Sequence, residues 1–219
     1  MGKEIDLLKN YPKTKRDLNL RLEEKTEEVR SVARKFGKEF FDGERRYGYG
    51  GFTYNPRFWG PVIPTFLEYW KLENGNNLLD VGCAKGFMLY DFFQILPELN
   101  LYGIDISTYA VENCISEVKK NVRVANANNL PYQDNFFDAV ISINTIHNLE
   151  IDECAKAIRE IERVSKGKSF ITVDAYNNDE EKKRMFAWNL TAKTIMSVED
   201  WKKFFKSNGY SGDYYWFIP

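Results

Sequence analysis

The chain has 219 residues, 43% of them hydrophobic and 29% charged, with a formal net charge of −1. That length suits one domain of generous size with a real core, and a near-neutral balance gives no general pull toward nucleic acid or anionic membranes. The three cysteines, Cys83, Cys114 and Cys154, lie far apart, which excludes a disulfide framework and a Cys/His zinc cluster and points to a reducing, cytoplasmic setting.

The first residues, MGKEIDLLKN, contain no apolar core of a signal peptide, and Asp6 stands where myristoylation asks for Ser or Thr. No stretch approaches the roughly 18 apolar residues of a membrane span. Residues 1–60 carry 14 Lys and Arg against 10 Asp and Glu. Such a basic flank suits an anionic small substrate and equally a solvated helical face. Within it, Leu18, Leu22, Val29, Val32, Phe36 and Phe40 recur at helical spacing, so one or two amphipathic helices must dock on something. The segment RRYGYGGFTYNPRFWGPVIP (45–64) holds four glycines, three prolines and six aromatics. Its glycines predict no regular element, and its rings argue against a disordered linker. Two readings stand: a lid over a site, or a fastening of the N-terminal helices to the core.

From residue 62 the pattern alternates. A helix is predicted over about 62–72, strands over 77–81, 100–104, 121–125, 137–143 and 168–174, and helices over 86–95, 108–119 and 152–164. Short apolar strands alternating with helices predict parallel pairing. Ser197 and Gly209 bracket a late helix, and YSGDYYWFIP gives a last aromatic strand.

Between the first strand and its helix runs LLDVGCAKGF, with Asp80 on the strand and Gly82, Ala84 and Gly86 on alternate positions. A glycine-rich turn leading into a helix brings backbone close to a nucleotide. Asp80 repels a pyrophosphate and attracts an ammonium group, which speaks against a nicotinamide oxidoreductase. Asp105 ends the second strand, where a carboxylate accepts from ribose hydroxyls or caps the next helix. Asn126 follows the third strand, and Asn144 lies near the end of the fourth.

These stations resemble those of class I S-adenosylmethionine-dependent methyltransferases of the small-molecule type: an acidic D-x-G-x-G-x-G turn, an acidic end of strand two, a D-A-x-x-L-P-F segment and F-D-x-V before strand four. The resemblance covers about residues 76–175. It implies a Rossmann-like, doubly wound, mostly parallel seven-stranded α/β sheet over 61–219, preceded by a helical cap and lid over 1–60. It implies S-adenosylmethionine as cofactor, with Asp80, Gly82, Ala84 and Gly86 beside the methionine part, Asp105 on the ribose, Ile106 on the adenine face, Asn126 and Ala127 at the adenine edge, and Asn144 near the methionyl group. Ala84 departs from the family glycine and fits if its φ is negative. Asn126 stands where the family often has Asp, and the absence of N/D-P-P-Y argues against adenine-N6 and glutamine-N5 enzymes.

Methyl transfer from a sulfonium needs an aligned nucleophile, exclusion of water and, for hydroxyl or ammonium acceptors, a base. His147, the only histidine, lies just past strand four and is either a base or a packed neighbour of the cofactor. Tyr47, Tyr49, Tyr54, Arg57, Phe58 and Trp59 are expected to line the acceptor pocket from the lid. Residues 183–193, with Trp188, are expected to form a second wall. DAYNND offers oxygens for magnesium, but without a partnered ligand spacing no metal is expected. The leading reading is a methyltransferase acting on oxygen or nitrogen of a small metabolite, such as a sugar, with no nucleic-acid or membrane partner. A catalytically inactive binding subunit and an RNA or protein methyltransferase stand as alternatives, and oligomeric state is open.

Overall fold

The computed structural model describes residues 2–13 and 17–219. Seven strands form one sheet: β1 (Asn77–Val81), β2 (Asn100–Asp105), β3 (Val122–Val124), β4 (Ala139–Ile143), β5 (Ser169–Tyr176), β6 (Met196–Ser197) and β7 (Asp213–Phe217). The order is β3-β2-β1-β4-β5, with β7 and the two-residue β6 both pairing with β5, and every pairing among these strands is parallel. Among the described residues the helices are α1 (Leu18–Glu24), α2 (Glu27–Ala33), α3 (Lys38–Asp42), α4 (Pro56–Trp59), α5 (Ile63–Trp70), α6 (Phe87–Ile95), α7 (Thr108–Glu112), α8 (Ile151–Val164), α9 (Asp179–Trp188) and α10 (Val198–Ser207).

The central strands are buried on both faces, which is why they read as apolar runs. Consecutive residues split between two layers. Leu78, Ala139, Ile141 and Phe170 pack with α5 and α6 on one face, while Leu79, Val140, Ile171 and Val173 pack with α8 and α10 on the other. Each of the larger of these side chains, fully withdrawn from water, contributes roughly 2 kcal/mol. The registers Val81↔Ile104 and Asp105↔Val124 bring the carboxyl ends of β1, β2 and β3 to one edge. The chain winds outward in both directions from β1 and β4. A crevice at such a reversal is where open α/β sheets take ligands.

Several segments differ from the sequence reading. The glycine-rich stretch does contain a helix: Asn55 caps α4 by accepting from Arg57 N (3.1 Å), and Pro56 occupies its first turn. Both are start signals that the neighbouring glycines obscured. Helix α7 stops at Glu112 rather than near 119, because the chain turns so that Ile115 N–H can reach Lys85 O (3.1 Å) in the glycine turn. Residues 179–188 are helical, capped by Asn178 and acidic in the first turn. The first residues sit against the core, not with the cap. Ile5 N–H donates to Tyr214 O (3.0 Å), Glu4 bridges to β7, and Leu7 is fully buried among α5, β1 and α6. The cap proper is α1 to α3 and the loop that follows. No described helix is long and apolar enough to cross a membrane.

Candidate active site

The glycine turn is built by backbone conformations that few residues accept. Gly82 has φ +89°, and a Cβ there would lie 2.1 Å from Thr145 Oγ1, so the turn presses directly on the end of β4. Gly82 and Cys83 N–H both donate to Ile104 O (2.8 and 3.0 Å), locking the turn to β2. Ala84 has φ +50°, contrary to the negative φ expected from its methyl group. What holds it there is the donation of its N–H to Asp105 Oδ2 at 2.8 Å. Gly86, at φ +76°, opens α6.

Two carboxylates share this edge. Asp105 accepts from Ser107 N (2.8 Å) as well as Ala84 N. Burial raises its pKa, and the N–H groups of Ser107, Ala84 and Ile106 work against that rise by favouring the charged form. Asp80, 4% exposed, has no such support. Burial and then the field of Asp105 push it up to about 8. Burial thus raises both carboxyls, and Asp80 the more openly because no N–H offsets it, an arrangement that a cation would relieve. One residue past Asp105, the Ile106 side chain is 54% exposed and forms an aliphatic shelf. Asn126 turns its Oδ1 onto Asn128 N (3.2 Å). Ala127 belongs to the core layer, so any contact it makes with an adenine edge falls to its main chain. Asn144 adopts φ +50°, tolerable for asparagine, and exchanges hydrogen bonds with Thr172 of β5: its N–H donates to Thr172 Oγ1 (3.1 Å), whose hydroxyl donates to Asn144 Oδ1 (3.0 Å).

The cap is clamped onto this edge by residues that sequence reasoning missed. Lys85, within the turn and 7% exposed, reaches Asp42 Oδ1 of α3 at 2.6 Å and also donates to Phe52 O. Tyr109 donates to the other Asp42 oxygen (2.8 Å), and Ser107 Oγ to Phe36 O. Lysine inside a glycine turn was the available signal, but its partner lies 43 residues away.

Beside β4 and β5 lies a buried polar cluster. His147 sits on a 3₁₀ turn, Ile146–Asn148, and its Nδ1 accepts from Asp174 N at 2.9 Å. The neutral ring must then carry its proton on Nε2. Burial lowers its pKa, so the ring stays neutral at pH 7, although Asp174 acts in the other direction. Asp174 Oδ2 accepts from Asn189 Nδ2 (3.1 Å). His147 O accepts from Lys193 N and Thr194 N (3.0 Å each), which ties residues 189–194 to the cluster. The Tyr49 hydroxyl accepts from Leu190 N (2.7 Å) and Thr191 N (3.2 Å), and its ring meets Trp188 at 5.7 Å between centroids.

The aromatic segment therefore divides in two. Tyr47 and Tyr49 pack with Val29, Ala33 and Leu190, joining cap to wall. Tyr54 donates to the buried Asp91 of α6 (2.6 Å), and Trp59 packs on Tyr11 at 4.9 Å. Arg57 is exposed and lies over Phe58 (4.6 Å). Tyr49, Trp188 and His147 thus share one region, and Tyr54, Arg57 and Trp59 another. In all these contacts the rings fasten elements together.

Residues 79–173 match the family model described as a methyltransferase domain. The chain is 30% identical over 140 residues to the uncharacterized methyltransferase YdaC of Bacillus subtilis, covering 58% of this chain and 75% of that one. The chain belongs to the class I S-adenosylmethionine-dependent methyltransferases. A second relative of this methyltransferase is the tRNA (carboxymethyluridine(34)-5-O)-methyltransferase of Arabidopsis thaliana, 35% identical over 143 residues, which are 64% of this chain and 33% of the plant protein. The chain spans less than half the length of the first curated relatives it matches. In fold it is similar to a Haloferax volcanii methyltransferase solved with the Trm112 methyltransferase activator, with a TM-score of 0.54, 19% identity and coverage of 69% and 68% of the two chains. The residues present fit the family cofactor, S-adenosylmethionine. The turn leaves no room for a Cβ at Gly82, the carboxyl pair meets no cation in an ion pair among the described residues, and Ile106 offers an uncovered apolar shelf.

Proposed function

We propose that this methyltransferase methylates an oxygen or nitrogen of a small metabolite. The cofactor supplies an electrophilic methyl group. Asp80 with the Gly82–Gly86 turn holds its ammonium end, Asp105 its ribose, Ile106 its base, with Asn126 and the Ala127 main chain at the base edge, and Asn144 flanks the methionyl part. The observation that carries the small-acceptor reading is the cap. Lys85, Ser107 and Tyr109, all on the proposed cofactor edge, are tied to Asp42, Phe36 and Phe52, which sets α3 and the loop after it against that edge and favours a small acceptor over a broad surface.

The hydrogen bonding at His147 supports a role for it in this reading. A ring whose Nδ1 is occupied by a backbone N–H presents Nε2–H as a donor, so His147 orients an acceptor oxygen or nitrogen rather than removing its proton. Tyr49 and Trp188 fix the wall that carries this cluster. The acceptor is expected among metabolites small enough to pass beneath α3. A second reading, methylation of RNA, is favoured by the tRNA methyltransferase among the relatives. Incubation with methyl-labelled cofactor and either a metabolite extract or total RNA separates the two. Label in a small product supports the first reading, and label only in nuclease-sensitive material refutes it.

A further inference from the structure

Next to the His147 cluster, a groove of about 370 Å³ opens between α2 and residues 186–195. Lys25, Arg30, Arg34 and Lys193 line it over the buried Asn189, with Glu150 at its rim, and it continues toward Lys35 and Glu27. Five cations thus face two carboxylates on a chain whose net charge is −1.

We propose that this groove is a subsite for a phosphate group of the methyl acceptor, a phosphomonoester or diphosphate. Arg30 on α2 and Arg34, the residue that caps its carboxyl end, stand four residues apart. Their Nε atoms donate to Leu190 O and Thr191 O (3.4 Å each), which pins each guanidinium by one edge and leaves terminal N–H groups for a ligand. Lys25 is drawn in by the Phe186 and Ala187 carbonyls at the end of α9. Burial, then Arg30 and Arg21, lowers its pKa, with Glu27 opposing, so the gathered cations add to the cost of its charge. The carboxylates nearby are poor competitors. Glu27 meets Arg30 at 3.4 Å and Glu150 meets Lys193 at 3.2 Å, with carboxylate side chains 82% and 68% exposed. The floor residue Asn189 bonds Asp174, whose backbone fixes His147, so an anion seated here directs the rest of its molecule toward the sheet edge.

The proposal rests on the small-acceptor reading, yet its test needs neither cofactor nor turnover. Titration calorimetry of the full chain with inorganic pyrophosphate at low salt should show saturable binding. Lys193→Gln, on an exposed side chain, and Arg34→Gln should each weaken it about tenfold. Glu150→Gln should tighten it several-fold, a sign that a merely structural role does not produce. No saturable binding, or affinities equal across the three variants, overturns the proposal. So does binding of single-stranded RNA that pyrophosphate fails to displace. Pyrophosphate binding without methylation of any small molecule would leave the subsite standing and count against the small-acceptor reading alone.

Discussion

Asp80→Asn tests the cofactor edge most directly. In the free protein the Asp80 carboxyl is raised from 3.8 to about 8, so at pH 7 it is mostly protonated. An ammonium group pairs with the ionised form. Ionising it costs about 1.4 kcal/mol at pH 7 and about twice that at pH 6. The affinity of the native chain for S-adenosylhomocysteine should therefore fall about fivefold from pH 8 to 7 and about tenfold more from pH 7 to 6. Above about pH 8 the ligand's own α-amino group loses its charge, and affinity declines again. Asparagine cannot ionise, so the variant should bind more weakly at pH 8 and lose the acid limb. Calorimetry at three pH values reads both effects. A native dissociation constant that stays flat between pH 6 and 8 would refute the assignment.

The same carboxyl has a stability signature of opposite use. The folded chain keeps a proton that the unfolded chain releases at 3.8, so this group favours folding at low pH and that advantage drains away as pH rises toward about 8. The full span corresponds to on the order of 5 kcal/mol, an upper figure because Asp105 titrates in the same field. Asp80→Asn should accordingly raise the melting temperature at pH 8 and leave it unchanged at pH 4. A variant that is less stable than the native chain at pH 8 contradicts the buried, unsupported carboxyl.

Ala84→Gly relieves a left-handed alanine worth about 1 to 2 kcal/mol and returns part of that as unfolded-state entropy, so a net gain of about 0.5 kcal/mol in denaturant melts is expected. Gly82→Ala forces a Cβ to within 2.1 Å of Thr145 Oγ1 at φ +89°, and cofactor binding measured by calorimetry should be lost or reduced at least about a hundredfold. Lys85→Gln frees Asp42 and Phe52, and limited proteolysis should then cut between α3 and α4 faster than in the native chain. His147→Ala should spare cofactor affinity and slow turnover, while the native rate–pH profile should show no limb near 6.5, because the ring neither takes nor gives up a proton in that range.

The β1 strand, the glycine turn and Asp105 were legible because local chemistry dictates them. An apolar run, a required left-handed turn and a carboxylate at a strand end need no distant partner. Ser197 and Gly209 marked α10 for the same reason, since capping is settled within one turn of helix. Asn55 with Pro56, and Asn178 with its acidic first turn, carried equally local start signals for α4 and α9. The glycines around the first, and the reading of 183–193 as a pocket wall, masked them. The positive φ of Ala84 is not legible locally, because the hydrogen bond that holds it comes from Asp105, 21 residues on.

The acceptor side is different in kind. Tyr49 and Thr191 lie 142 residues apart, Lys25 and Phe186 lie 161 apart, and Ser107 and Phe36 lie 71 apart. An amphipathic stripe says only that a helix must dock, and many surfaces satisfy an apolar stripe equally well. What selects one surface is the polar trim: arginines on α2 that find unpaired carbonyls beyond α9, and an aspartate on α3 that finds a lysine in the glycine turn. The interactions that position the cap are therefore the ones that shape the approach to the sheet edge. On the proposed reading, specificity for the acceptor rests on pairs that become neighbours only after the chain has folded, whereas the glycine turn and the strand ends beside it carry local signals.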